Sequence, residues 1–161
     1  STSRRQRQMC TRDRLKSIKN ETEIKATKDA HLHDGIAVTK FMYWLKTNIG
    51  KMEMDELSIS NKLLEYRKQQ PNFKDISFTT ICAYRENAAL MHYHPTEKQY
   101  SKVNASHLLL IDSGGQYLTG TTELVGTLLE NTHNANKHYQ TTSVQKVISG
   151  LPLSPKLLSA L

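Results

Sequence analysis

Two acidic residues lie where a surface role does not explain them. Asp112 follows the apolar run Leu108–Ile111, and Glu123 comes eleven residues later. A carboxylate beside a buried strand is costly unless it is paired or bound to a metal. Two carboxylates facing one point across a hairpin can bind hard divalent cations, and a pair of such metals can generate a hydroxide nucleophile at neutral pH. Alternatively, Asp112 begins a turn and accepts hydrogen bonds from the backbone of Gly114 or Gly115. Residue types alone leave both interpretations open.

Two helices are predicted ahead of these acids. Asn20 and Glu23 have the spacing of a capping box, and apolar residues then recur at helical spacing up to a natural stop at Gly50. A second helix is predicted to open at Asp55 and to end before Pro71. Both helices have one apolar side, which predicts that they pack on another element.

Strand patterns follow the helices. Alternating apolar and polar residues predict strands over Ile76–Tyr84 and Ala88–Tyr93, and the compact apolar run predicts one over Leu108–Asp112. Gly114–Gly115 predicts a turn, after which 116–122 continues as a hairpin. Two helices followed by a meander of strands predict an α+β fold, with the helices packed on one face of an antiparallel sheet.

Length and composition exclude several classes of protein. The chain has 161 residues, of which 37% are hydrophobic and 23% charged, which suits one globular domain or part of a larger one. No apolar run is long enough to span a bilayer, so no membrane partner is expected. The basic first residues have no apolar stretch behind them, which argues against a secretory signal. Cys10 and Cys82 have no metal-binding or redox spacing, and a reduced, cytoplasmic protein is expected.

The net charge of +7 belongs mainly to the first residues of the chain. Residues 1–19 carry seven basic side chains and one acidic side chain, whereas the rest carries 15 basic and 14 acidic ones. We therefore expect 1–19 to form a flexible basic arm. The arm has no interleaved aromatic residues and no recognisable module, so a nucleic-acid partner is not expected.

An ordered series of segments carries a family resemblance: Ile18–Ile24, Ala30–Ala37, Tyr43–Leu45, Lys62–Gln70, Ser77–Ile81, Asn87–Tyr93 and Leu110–Glu123. Over residues 15–124 the chain resembles the first half of the catalytic domain of Xaa-Pro aminopeptidases, the aminopeptidase P branch of the pita-bread metallopeptidases. The resemblance implies a partial pita-bread (creatinase/aminopeptidase-like) fold, with 20–130 as the N-terminal half of the catalytic domain. It leaves 131–161 as a divergent or truncated segment, within which 139–148 fits a helix.

The resemblance also implies roles for five residues. Asp112 matches the first carboxylate ligand of the family's two-metal site, which usually holds a manganese (Mn²⁺) pair. Glu123 stands where the family has its bridging aspartate. His92 matches the active-site histidine that contacts the substrate or stabilises the developing tetrahedral charge. Phe78 and Tyr93 would line the substrate pocket.

Departures from the family pattern set limits on this assignment. Glu123 is one methylene longer than the aspartate of the family, and Val125–Thr127 replaces the family's Thr-Arg-Thr. The family's other ligands, one histidine and two glutamates, lie on its second half. We therefore expect a truncated Xaa-Pro aminopeptidase-like protein that is inactive alone, whose complete relatives act on peptides with a penultimate proline. The alternative is a non-catalytic interaction module, or a half-fold that pairs with a second copy or with a complementary chain.

Overall fold

The computed structural model describes residues 17–128, and its two long helices are those that the sequence predicts. Helix α1 spans Glu21–Asn48 and helix α2 spans Glu56–Lys68. In the capping box of α1, Glu23 N–H donates to Asn20 Oδ1 over 2.8 Å and Asn20 N–H donates to a Glu23 carboxylate oxygen over 3.0 Å. Asp55 caps α2 in the same way. The predicted basic arm falls almost wholly, and the helix at 139–148 wholly, outside the described residues.

Short strands make up the rest of the described chain. They are β1 (Met54–Asp55), β2 (Phe73–Ile76), β3 (Ile81–Tyr84), β4 (Lys102–Val103), β5 (Leu109–Ser113), β6 (Gly115–Tyr117), β7 (Gly120–Thr121) and β8 (Leu124–Leu128). They pair antiparallel, in the orders β1-β4, β2-β6-β7 and β3-β5-β8. A 3₁₀ helix, Arg85–Ala89, follows β3. No helix within residues 17–128 has the length and apolarity that a membrane crossing needs.

The single strand predicted over 76–84 is wrong, because the chain breaks between β2 and β3. β2 pairs with β6, whereas β3 pairs with β5. At the break, Ser77 N–H donates to Gly114 O over 3.0 Å and Ser77 Oγ donates to Thr122 O over 3.1 Å. These bonds join residues that are far apart in the sequence, so the alternation of apolar and polar residues around Ser77 does not predict them.

The turn predicted at Gly114–Gly115 is also wrong. β5 passes Gly114 and continues almost directly into β6, and the hairpin turn comes later, at 118–119. Gly114 is needed for a close approach, since a Cβ there would collide with Thr122 O and Ser77 Oγ. The strand predicted over 88–93 is replaced by the 3₁₀ helix and a turn.

The helices cover one face of the β3-β5-β8 sheet. The buried core includes Phe41 and Leu45 from α1, Ile59 and Leu63 from α2, and Cys82, Tyr84, Leu109 and Ile111 from the strands. This confirms the predicted α+β class. The opposite side of the sheet carries Ile81, Leu110, Asp112 and Val125, which are partly exposed. We call these four residues the open face.

Candidate functional site

Asp112 lies on the open face at the centre of its sheet. Its cross-strand partners are Ile81 on β3 and Val125 on β8. Its Oδ1 atom is buried and has no hydrogen-bond partner within residues 17–128. The alternative in which Asp112 begins a turn is wrong, because the chain is extended there and Gly115 N–H donates to Thr122 Oγ1 instead. Asp112 is thus an acid between two apolar neighbours, with one carboxylate oxygen that no described residue hydrogen-bonds.

Electrostatics disfavour the charged form of Asp112. Burial raises the pKa of its carboxyl group above the ordinary value, and the negative charge of Glu123 raises it further. Glu123 is exposed and lies between β7 and β8. The fold therefore brings these two predicted ligands close enough to interact. A cation bound between them would relieve both the repulsion and the unsatisfied oxygen.

Glu123 follows Thr122, a buried residue whose N–H, carbonyl and hydroxyl groups are all hydrogen-bonded. Thr122 is 1% exposed. Its N–H donates to Gly115 O and its Oγ1 accepts from Gly115 N–H, each over 2.9 Å. Its carbonyl accepts from Ser77 Oγ, and its Oγ1 donates to Asp34 Oδ2 over 2.8 Å. The segments that carry Asp112 and Glu123 are therefore bonded directly to each other.

Asp34 anchors this arrangement to both helices. Arg67 Nε and Nη2 donate to its two oxygens over 2.7 and 3.2 Å, and Tyr117 Oη donates to Oδ1 over 3.1 Å. Burial and the nearby Asp34 charge raise the pKa of Tyr117. Asp34 and Arg67 are not among the functional residues predicted from the sequence. The available signal was their place in apolar helical series, Ala30-Asp34-Ala37-Phe41 and Ile59-Leu63-Arg67, where a charged residue must find a buried partner.

His92 does not lie on the strands that carry or flank Asp112 and Glu123. It is exposed in the turn after the 3₁₀ helix, with a left-handed φ of 58°. Within residues 17–128, no three side chains of His, Cys, Asp or Glu come together in a way that could hold a metal ion. Of the three predicted residues His92, Asp112 and Glu123, the described structure brings the two carboxylates close enough for their charges to interact.

The two predicted pocket residues occupy different settings. Phe78 is partly buried in the break between β2 and β3. Tyr93 is buried, and its hydroxyl donates to Glu56 Oε2 over 2.7 Å and accepts from Asn87 Nδ2 over 3.1 Å. Glu56, the first residue of α2, has no exposed surface and is not among the functional residues predicted from the sequence. Acidic residues are common in the first turn of a helix, so in the sequence Glu56 looks like an ordinary solvated acid.

Known proteins resemble this chain in sequence. Residues 25–148 match the metallopeptidase family M24. The chain is 40% identical over 115 residues to the Xaa-Pro aminopeptidase ApepP of Drosophila melanogaster, covering 71% of this chain and 19% of that protein. It is 36% identical over 135 residues to Xaa-Pro aminopeptidase 2 of Sus scrofa, covering 84% of this chain and 20% of that protein. The chain thus spans about a fifth of the length of these relatives.

Solved structures share its fold. An X-prolyl aminopeptidase from Caenorhabditis elegans, described as a cytosolic enzyme with a di-nuclear active site, superimposes with a TM-score of 0.70 at 32% identity, covering 73% of this chain and 19% of that one. A prolidase from Thermococcus sibiricus superimposes with a TM-score of 0.58 at 26% identity, covering 70% and 28%. The expected partial pita-bread fold is confirmed by these neighbours.

Proposed function

Because the chain belongs to metallopeptidase family M24, we propose that it supplies part of the active site of an Xaa-Pro aminopeptidase, which removes an N-terminal residue that precedes proline. The observation that carries this proposal is the buried Oδ1 of Asp112, which has no partner among the described residues and lies near the charge of Glu123. A sheet face that was only structural would have no reason to keep an acid in that position.

The donor set suits a hard divalent cation. Asp112 and Glu123 offer carboxylate oxygens, the ligands that manganese and similar ions prefer. A bound pair of such ions would supply an activated water and polarise the scissile carbonyl. This chain would contribute Asp112 from β5 and Glu123 from the segment between β7 and β8, and the bonds between Thr122 and Gly115 join the two regions.

The remaining residues are assigned roles around that centre. His92 is proposed to donate a hydrogen bond to the substrate or to the charged intermediate, in keeping with its exposed ring. Phe78 is proposed to give the pocket an apolar wall. Tyr93 is proposed to shape the pocket through its ring, since its hydroxyl is already bonded inside the protein.

Metal binding is tested by titrating the purified chain with Mn²⁺ in a calorimeter. We expect weak binding that Asp112→Asn abolishes. Glu123→Asp, which restores the residue of the family, should tighten binding. Glu97→Gln is the matched control, because Glu97 is exposed and lies in the segment before β4. Binding that survives Asp112→Asn unchanged would contradict the assignment.

Activity is tested on the chain alone. We expect no manganese-dependent release of the first residue from an Xaa-Pro peptide, because two carboxylates do not complete a two-metal site. The Caenorhabditis elegans enzyme, assayed in parallel, is the positive control. Measurable release by the chain alone, lost in Asp112→Asn, would overturn this expectation and would show a complete site.

A second candidate function is a non-catalytic module that pairs with another copy or with a complementary chain. The substitution at Glu123 and the partly exposed open face favour it. Under this proposal Mn²⁺ gives no heat of binding, and the open face is covered by protein. In either case the cytosolic location of the Caenorhabditis elegans relative supports a cytoplasmic setting.

A further inference from the structure

Glu56 is a buried carboxylate that the proposed chemistry does not use. It has no exposed surface and accepts four hydrogen bonds. Its Oε1 accepts from Tyr84 N–H over 2.6 Å and from Asn87 Nδ2 over 2.9 Å, and its Oε2 accepts from Tyr93 Oη over 2.7 Å and from Ser101 N–H over 2.8 Å. One side chain at the start of α2 thus joins the end of β3, the 3₁₀ helix, the turn after it and the segment before β4.

His92 lies in that turn with its backbone in a conformation that is uncommon for residues other than glycine. Its φ of 58° falls in the left-handed region, where a Cβ atom is crowded by the following carbonyl. The side chain is exposed, so burial of the imidazole ring does not repay the strain. Such a backbone persists only when the surrounding structure imposes it, and conformations of this kind gather at functional sites.

Tyr93 is the buried neighbour that could impose this conformation. It is 8% exposed, its N–H donates to Leu90 O over 3.2 Å, and its hydroxyl is bonded to both Glu56 and Asn87. Burial and the bond to Glu56 raise the pKa of the phenol, in agreement with a hydroxyl that keeps its proton for this bond. The Tyr93 ring is therefore held by Glu56 at the start of α2 and by Asn87 in the 3₁₀ helix, directly after the residue with the left-handed backbone.

We propose that Glu56 is a positioning residue for His92. Acting through the hydroxyl of Tyr93, it holds the turn in which His92 is left-handed and presents the imidazole ring outward. What His92 acts upon rests on the proposed function. The conformational coupling does not, and it is measured without metal or substrate.

The test combines nuclear magnetic resonance with a double-mutant cycle. In the wild-type chain, a strong intraresidue NOE between the amide and Hα protons of His92 should report the positive φ. Tyr93→Phe keeps the ring but removes the hydroxyl, and we expect that strong NOE to be lost. Tyr43→Phe is the matched control, since Tyr43 is 75% exposed on α1 and the same change there should leave His92 unaltered. A merely structural Tyr93 would lower stability without changing the NOE of His92.

Urea unfolding supplies the second measurement. Because glycine adopts positive φ freely, His92→Gly should raise the denaturation midpoint of the wild-type chain. In the Tyr93→Phe background, where His92 can relax, that gain should disappear. Additive effects of the two changes would overturn the proposal. If Tyr93→Phe does not fold, His92→Gly in the wild-type background is the deciding test. A urea midpoint that is unchanged or lowered by His92→Gly would show that the backbone of His92 is not strained, and would overturn the proposal.

The outcomes separate this inference from the proposed function. Failure of Mn²⁺ to bind, with the NOE and the cycle as expected, would refute the metal site and leave the role of Glu56 in place. The reverse pattern would refute Glu56 as a positioning residue and leave the carboxylate site standing.

Discussion

Asp112 is an acid in surroundings that oppose its charge. Its neighbours across the strands are Ile81 and Val125, and Glu123 adds a second negative charge nearby. One of its oxygens has no hydrogen-bond partner in the described part of the chain. Each of these features destabilises the folded chain when the carboxyl group is ionised. A cation that bound Asp112 only in the folded chain would raise the free energy of unfolding, which the ionised acid lowers in the metal-free chain.

Asp112 therefore predicts a pH dependence of stability. Because the pKa is raised on folding, the folded chain holds this proton in a pH range where the unfolded chain has released it. The free energy of unfolding should fall as pH rises from the ordinary value of 3.8 through the raised value of the folded state. Urea midpoints measured across pH with a chelator present should show this fall.

Comparison with Asp112→Asn isolates the contribution of Asp112, because the other acids are common to both chains. We expect the fall in stability over this range to be smaller in the variant, and Glu97→Gln to behave as wild type. Parallel pH profiles for wild type and Asp112→Asn would show that the environment of Asp112 does not oppose its charge.

At the scale of elements, the Asp34–Arg67 pair joins the two helices to each other and, through Tyr117, to the β2-β6-β7 sheet. The two side chains are 3% and 1% exposed, and the carboxylate also accepts from Tyr117 and Thr122. Breaking a buried pair leaves an uncompensated charge. Arg67→Met should therefore lower the free energy of unfolding by about 3–5 kcal/mol, measured by urea unfolding.

Two further variants check this expectation. Asp34→Asn combined with Arg67→Met should recover part of the loss, because no buried charge is then left unpaired. Lys62→Met is the control, since the Lys62–Glu65 pair is exposed and should contribute little. If Arg67→Met lowers the free energy of unfolding by no more than Lys62→Met does, the buried pair does not stabilise the fold.

The same elements show what could be predicted from sequence. The helices were predictable because Asn20, Glu23 and Asp55 form caps with residues three positions away. The break at Ser77 was not, since its partners are Gly114 and Thr122. At the site, the residue pattern and the family resemblance singled out Asp112 and Glu123, but Asp34 and Glu56 act through contacts that only the tertiary fold creates.

At the scale of the whole molecule, the helices cover one side of the β3-β5-β8 sheet within residues 17–128 and leave the open face partly exposed. The open face carries Ile81, Leu110 and Val125 around Asp112, all partly exposed. β3 and β8 are the outer strands of this sheet in the described part of the chain. Apolar area beside open strand edges favours association.

We accordingly expect the chain to self-associate with rising concentration, as measured by sedimentation velocity. Val125→Lys places a charge on the open face and should shift the chain towards monomer without loss of helical circular dichroism. Leu118→Lys is the control, because Leu118 is 68% exposed in the turn between β6 and β7, which belong to a different sheet. A wild-type chain that stays monomeric at every concentration would contradict this expectation.

The network around Asp34 also orders the assembly of the chain in time. Arg67 lies 33 residues after Asp34, whereas Thr122 lies 88 residues after it. At synthesis rates of about 5–20 residues per second, Thr122 leaves the ribosome's catalytic centre on the order of 4–18 s after Asp34 does. The two helices can pair through Asp34 and Arg67 well within that interval. Within this network, Thr122, the residue before Glu123, is therefore the last partner of Asp34 to be synthesised.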